Sequence, residues 1–241
     1  LGPNLQSRRL DPQSPDHIYG MDLSPVAYLM DGNGDGNLRH TDGDKAYVYL
    51  GMRRGGSSLY ALDVSNPDSP STLFTINRAT TGFEELGDTW SKPQVTFIPG
   101  YRDGNGKPKP VLMFGAGYDV ALDDTSGAYI PANPGNYEAC NPVCGRGMYV
   151  VDATTGALLW SVTPGATSAT NLQAAGLEFP VAAEVTPIDS NGDGLTDRVY
   201  FADVGGHIWR VDIAGDNLPS DMTSSERNCP VGVSRCLAHV N

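Results

Sequence analysis

Apolar and polar positions alternate along this chain in short runs, and clusters of Gly, Pro, Asn and Asp separate the runs. Three stretches share one register: residues 58–64 (SLYALDV), 147–153 (GMYVVDA) and 207–213 (HIWRVDI). Each sets an apolar residue (Leu59, Met148, Ile208) before an aromatic one (Tyr60, Tyr149, Trp209), then an aliphatic (Leu62, Val151, Val211) and an Asp (Asp63, Asp152, Asp212). A glycine cluster precedes each stretch, and a further strand-like run (AYVYLG, VLMFGAG, VYFAD) precedes each cluster. Period-2 alternation bounded by turn residues predicts strands, and nothing sustains the 3.6-residue period of a helix.

Extending each unit outward adds upstream strands that begin beside Pro25, Pro93 and Pro180. A strand's first residue needs no ladder N–H, so proline is tolerated there. Downstream, STLFTINR and GALLWSVT supply a fourth strand to the first two units, and the third unit shows none. Four short antiparallel strands per repeat is the pattern of a propeller blade. The predicted fold is therefore all-β: an incomplete or modified β-propeller with about three recognisable four-stranded blades, at about residues 22–80, 90–163 and 178–213. An insertion at 118–146 interrupts the second unit and is the best candidate for a partner-contact surface, since long loops of this kind tend to carry function. Residues 214–241 read as an irregular C-terminal segment. The competing reading is a β-sandwich with coincidental similarity. The three sheets are expected to be arranged radially rather than stacked face to face.

Charge and composition narrow the function. The formal net charge is −12, and Gly and Pro make up about a fifth of the 241 residues, against roughly 12% in average usage. An acidic surface disfavours nucleic acid and anionic membranes as partners and suits cations. No run of about 20 apolar residues is present to span a bilayer. The first residue is Leu1, and no signal peptide is visible, so a processed product or a piece of a longer chain is expected. The cysteines fall into two local pairs, Cys140 with Cys144 and Cys229 with Cys236. Both lie in loop-like sequence, which predicts two disulfides and an oxidising compartment.

The densest chemistry lies between the first and second strands of the third unit. Asp189, Asn191 and Asp193 stand at positions 1, 3 and 5 of an EF-hand-like calcium loop, with Gly194 at position 6. Leu195 offers its carbonyl at position 7 and Asp197 a carboxylate at position 9. Tyr200 at position 12 cannot replace the bidentate Glu of an EF-hand, and no amphipathic helices flank the loop, so it is set in a β-hairpin. The first unit repeats the object: Asp31, Asn33, Asp35, Gly36 and the Asn37 carbonyl, with Arg39 at position 9, Asp42 at position 12 and Asp44 near. In the second unit Asp103 and Asn105 remain, but Lys107 replaces the third ligand, and no ion is expected.

These motifs together resemble the β-propeller domain of PilY1-type proteins, the type IV pilus biogenesis factors and tip-associated adhesins. The resemblance spans about residues 17–213. It rests on LYALDVSNPDSP, GRGMYVVDATTGALLW and TPIDSNGDGLTDRVYFADVGGHIWRVDI, and the stretch 189–212 is its most specific part. It implies a modified propeller, Ca2+ in EF-hand-like loops, a role in pilus extension, retraction and attachment, and export through the periplasm to the pilus or outer cell surface. Pilus subunits and a host or abiotic surface are the implied partners. Within these 241 residues fewer blades are recognised than in a full family propeller, no Arg-Gly-Asp tripeptide occurs, and no stretch reads as the family's N-terminal adhesion region. Two alternatives stay open: a secreted calcium-stabilised adhesin unrelated to pili, and a fragment of a quinoprotein-dehydrogenase-like enzyme. Against an enzyme, the four His are isolated, and no haem, Walker, nucleophile-elbow or zincin motif is present.

Overall fold

The computed structural model describes residues 19–123, 140, 143–213 and 237–240. Every regular element among them is a strand, apart from three short 3-10 turns. Strands β1 (Val26–Met30), β2 (Lys45–Gly51), β3 (Leu59–Asp63) and β4 (Ser71–Ile76) form an antiparallel meander in chain order. A second meander follows: β5 (Gln94–Arg102), β6 (Pro108–Gly115), β7 (Met148–Asp152) and β8 (Leu158–Thr163). The third contains β10 (Thr186–Ile188), β11 (Arg198–Ala202), β12 (Ile208–Asp212) and β13 (Leu237–Val240).

The alternation seen in the sequence becomes two cores. On β6 and β7, Val111, Met113, Met148 and Val150 point to one side and meet Val199, Phe201, Trp209 and Val211 of the third sheet. Their neighbours Leu112, Phe114, Tyr149 and Val151 point to the other side and meet Tyr47, Tyr49, Leu59 and Ala61 of the first. Strand β7 is accordingly buried at every position, whereas β2 and β12 alternate. Tyr49 also donates from its hydroxyl to the Ala153 carbonyl, 2.8 Å away, which pins the first sheet to the second. A two-layer sandwich has no sheet covered on both faces, so three consecutive layers replace it. Consecutive sheets meet through their faces, as neighbouring blades of a radial array do, so the contact does not contradict the expected arrangement.

Three departures have local causes. The third unit gains its fourth strand from Leu237–Val240, which pairs with β12, so the C-terminal segment is not irregular throughout. The strand expected from Pro180 shrinks to Thr186–Ile188, because Val181 is bonded instead to the second unit: its N–H reaches the Gly145 carbonyl and its carbonyl accepts from Gly117. The second sheet acquires a fifth strand, β9 (Asn171–Gln173), parallel to β8. Asn171 Oδ1 accepts from Ser161 and Thr163, and its Nδ2 donates to the Gly165 and Ala166 carbonyls, folding the chain back onto β8. The insertion joins β6 to β7, and its Cys140–Cys144 disulfide forms with the Cα atoms 5.4 Å apart. Cys229 and Cys236 lie outside the described residues.

The repeated Asp residues cap turns in two units. Asp63 Oδ1 accepts from the Ser65 N–H, and Asp152 Oδ1 from the N–H groups of Thr154 and Thr155. Asp152 goes further, taking Lys109 Nζ at 2.7 Å and the Tyr101 hydroxyl on its other oxygen. Burial opposes its ionisation, yet these donors hold its carboxyl well below the usual carboxylate range. In the third unit Asp212 instead pairs with Arg198 and Arg210.

Between the first two sheets, Asp88 is buried where its backbone bridges that of Tyr118. Burial raises its pKa to about 6, Arg78 opposes the shift, and Asp119 adds to it. A carboxyl raised in the fold favours the folded state when protonated, and that stability is lost as pH rises through about 6. Asp88→Asn is therefore expected to raise the melting temperature at pH 7.5 and to flatten its pH dependence between about 4 and 6. Thermal melts of both proteins across that range check this, and parallel curves would refute it.

Candidate metal loops

The first acidic loop joins β1 to β2 and the second joins β10 to β11, so both occupy the same place in their sheets. Their hydrogen bonds repeat almost atom for atom. In the later loop Asp189 Oδ1 accepts from the Gly192 N–H at 2.7 Å and Oδ2 from the Gly194 N–H at 2.7 Å. In the earlier one Asp31 accepts from Gly34 at 2.6 Å and Gly36 at 2.7 Å. Asn191 Oδ1 takes the Asp193 N–H and Asp193 Oδ1 the Leu195 N–H; Asn33 and Asp35 do the same for Asp35 and Asn37. Both turns need a left-handed residue at position 6, where Gly36 has φ 80° and Gly194 has φ 84°. A Cβ is strained in that region. In each loop the N–H of the position-6 glycine leads in lowering the pKa of the position-1 carboxyl.

The decayed loop shows what is lost. Asp103 Oδ1 alone accepts from Asn105 and Lys107, and no second carboxylate stands in the turn.

The two full loops close differently. In the later one Asp197 Oδ2 accepts from the Ser190 N–H at 3.1 Å and from its hydroxyl at 2.6 Å. Asp197 Oδ1 is shielded from solvent and has no hydrogen-bond partner. In the earlier loop the N–H at the equivalent position, Gly32, goes to Asp44 Oδ1 at 2.9 Å, and Asp44 Oδ2 takes the Arg39 N–H at 2.8 Å. Asp44 is only 2% exposed, whereas Asp42 is exposed in a 3-10 turn. Asp44 thus holds the closing place that spacing offered to Asp42. Among the described residues no three His, Cys, Asp or Glu side chains are already gathered into a metal cage.

What fixes the later loop is a residue the sequence reading passed over. Thr196 is 3% exposed, its hydroxyl lies 2.6 Å from that of Thr96 on β5, and its N–H donates to the Phe97 carbonyl. Asp197 then bonds both ways along its own sheet, its N–H to Ile188 and its carbonyl from Ile213. At the far end of the same hairpin, buried Asp203 accepts from the His207 N–H and from Trp209 Nε1, at 2.9 Å for the indole. A Thr facing a Thr across 100 residues leaves no local signal.

Sequence and fold comparisons bear on this arrangement. No protein-family model matches the chain. It is 29% identical over 221 residues to the type IV pilus biogenesis factor PilY1 of Pseudomonas aeruginosa PAO1, covering 90% of this chain and 15% of that protein. It is 25% identical over 198 residues to the PilY1 homologue of Xylella fastidiosa, covering 78% of this chain and 11% of that one. The chain is a distant relative of the PilY1 type IV pilus biogenesis factors. The crystal structure of the P. aeruginosa PilY1 C-terminal domain has the same fold, with a TM-score of 0.51 and 22% identity over 80% of this chain and 30% of that one. The chain therefore spans 11–15% of the length of the PilY1 proteins it matches. Among the described residues no helix is long and apolar enough to cross a membrane.

The Thr pair gives a test of the anchorage. Thr196→Val strands the Thr96 hydroxyl and is expected to cost about 1–3 kcal/mol, whereas Thr96→Val with Thr196→Val should cost clearly less than the sum of the two. Denaturant unfolding of the four proteins closes the cycle, and strict additivity would show that the hydroxyls do not interact.

Proposed function

We propose that this chain is a non-enzymatic, calcium-binding propeller module of a type IV pilus-associated protein. It supports pilus assembly and dynamics and surface adhesion, and it works outside the cell. Pilins and a host or abiotic surface are its partners in this reading. Kinship with PilY1 biogenesis factors over most of the chain supports the pilus assignment. The three meanders, joined in chain order by two apolar cores, support blades.

The observation that carries the calcium reading is Asp197 Oδ1, out of water and without a partner beside a loop of hard oxygen donors. Leaving a carboxylate oxygen in that state costs stability, and a cation relieves it. Asp189, Asn191, Asp193 and Asp197 would hold the ion with their side chains and Leu195 with its carbonyl, and water completes the shell. The backbone N–H groups on Asp189 orient that carboxylate without exhausting its lone pairs. In the earlier loop the set is Asp31, Asn33, Asp35 and Asn37, with Asp44 in place of Asp42 as the closing carboxylate. The ion supplies an electrostatic field that gathers carboxylates which otherwise repel. Its role is structural, because Asp197 both ends the loop and begins the hairpin of β11 and β12.

Extracellular calcium modules bind at about 0.1–1 mM. At ten times the dissociation constant, mass action adds about 1.4 kcal/mol. Calcium should therefore raise the melting temperature of the wild type, and Asp193→Ala should remove most of that rise while leaving the calcium-free melt almost unchanged. Asp103→Ala should keep the full rise. Identical melts of wild type and Asp193→Ala in calcium would end this reading.

A further inference from the structure

The first sheet carries opposite charges at its two ends. The Asp31 loop joins β1 to β2, and at the far end of β2 the turn into β3 sets Arg53 beside Arg54. Both are stacked on aromatic rings. Arg53 Cζ lies 4.6 Å from the centroid of the Trp90 ring. Arg54 Cζ lies 5.8 Å from the same ring and 5.3 Å from that of Tyr19. Tyr118 meets Trp90 edge-on at 6.3 Å. A guanidinium stacked on aromatic faces keeps its rim of N–H donors for a partner in its own plane.

That rim is little used. Among the described residues the one carboxylate paired with Arg53 is Asp22, at 3.9 Å, with the two side chains 37% and 43% exposed. Arg54 Nη1 donates to the neutral Tyr19 hydroxyl at 3.2 Å. Arg146, by contrast, grips both oxygens of Glu85, and Arg210 lies 3.0 Å from Asp212. The turn is also held against its own preference. Arg53, at φ 49°, is the one non-glycine residue with positive φ among the described residues, and a side chain is strained there. Thr89 fixes it: its hydroxyl accepts from the Met52 N–H at 2.7 Å and its carbonyl from the Arg53 N–H at 3.2 Å. Beneath Arg53, Trp90 Nε1 is shielded from water and has no hydrogen-bond partner among the described residues. The strained cation and the unsatisfied indole both cost stability, and outliers of this kind gather at ligand clamps.

We infer that Arg53 and Arg54 form a binding site for an oxyanion, a carboxylate or a phosphate, which takes N–H donors from both guanidiniums while Trp90 and Tyr19 hold their faces. Both groups present a pair of oxygens that matches such donors. Asp22, at 3.9 Å, is beyond hydrogen-bond reach and does not fill that place. The net charge of −12 repels anions at long range, so binding depends on these two residues and not on a general basic surface. The inference goes beyond the calcium and pilus readings and is independent of both, since the site lies at the opposite end of β2 from the Asp31 loop.

Modification of the native-length gene product by the arginine reagent phenylglyoxal tests it, with rates read peptide by peptide by mass spectrometry. Glutarate or inorganic phosphate should slow the reaction of Arg53 and Arg54. A dissociation constant of about 1 mM gives about elevenfold protection at roughly 10 mM ligand. Arg198 and Arg210, on the third sheet, should react at one rate with and without ligand. Protection by glutarate alone would assign the site to a carboxylate, and protection by phosphate alone to a phosphate; each supports the proposal. Absence of protection by either would overturn it. Equal slowing by sodium chloride at matched ionic strength, or equal slowing of Arg198 and Arg210, would reduce the effect to screening and overturn it too. Arg53→Lys keeps the charge and loses the planar donors, so Arg54 should lose its protection in that variant; undiminished protection would refute a shared site. The wild-type arms need no substitution, so they decide the matter where Arg53→Lys fails to fold.

Discussion

Everything else in this molecule depends on the second sheet being buried on both faces. A strand whose odd and even residues are all apolar cannot satisfy itself in a two-layer fold. Val111 and Met113 commit β6 to one neighbour while Leu112 and Phe114 commit it to another. That requirement forces three layers, fixes which sheet is central, and places the loops of all three units relative to one another. Ring packing sharpens the fit: Tyr149 lies 4.8 Å from Phe83 and 5.6 Å from Phe114, centroid to centroid, and Phe201 stacks on Trp209 at 6.4 Å. A one-residue slip in β7 would exchange Met148 and Val150 for Tyr149 and Val151 and present the wrong sizes to both neighbours at once. The register is therefore specified twice over.

The repeat was legible for the same reason. The aromatic–aliphatic–Asp register marks the third strand of each unit because the aromatic and the aliphatic, two residues apart, share one face of the strand, and the Asp that follows stands where the strand ends. Asp63 and Asp152 cap as their position predicts. The acidic loops were legible too, since an Asx turn is a local object: Asp189, Asn191 and Asp193 each bond N–H groups within five residues. Local chemistry of this kind repeats faithfully wherever the sequence does, and the Asp31 loop copies the pattern.

What escaped the sequence is long-range or competitive. Val181 looked like a strand residue, and its backbone was claimed by Gly117 and Gly145. The fourth strand of the third sheet comes from Leu237–Val240, after a separation that no short repeat unit encodes. Asp42 sat at the right spacing for an EF-hand, but Asp44 points inward because the 3-10 turn at His40–Asp42 and the left-handed Gly43 rotate the chain by the time it reaches β2. Linear spacing counts residues, and the place of a carboxylate depends on the dihedrals between them.

The later acidic loop sits where a small local change would be felt widely. Thr196 ties it to β5 of the central sheet, and Asp197 ties it to both β10 and the end of β12. The loop therefore touches the central sheet and two separate points of the third. Anything that orders its carboxylates also orders the seam between the two sheets, because the residues that close the loop are the residues that dock it. The Asp103 loop holds a single carboxylate and stands on the hairpin between β5 and β6, strands already held by two apolar cores. The Asp189 loop leads instead into a sheet whose first strand has three residues. The Asp189 loop thus gathers its carboxylates beside a three-residue strand, whereas the single carboxylate of the Asp103 loop stands between strands of nine and eight residues.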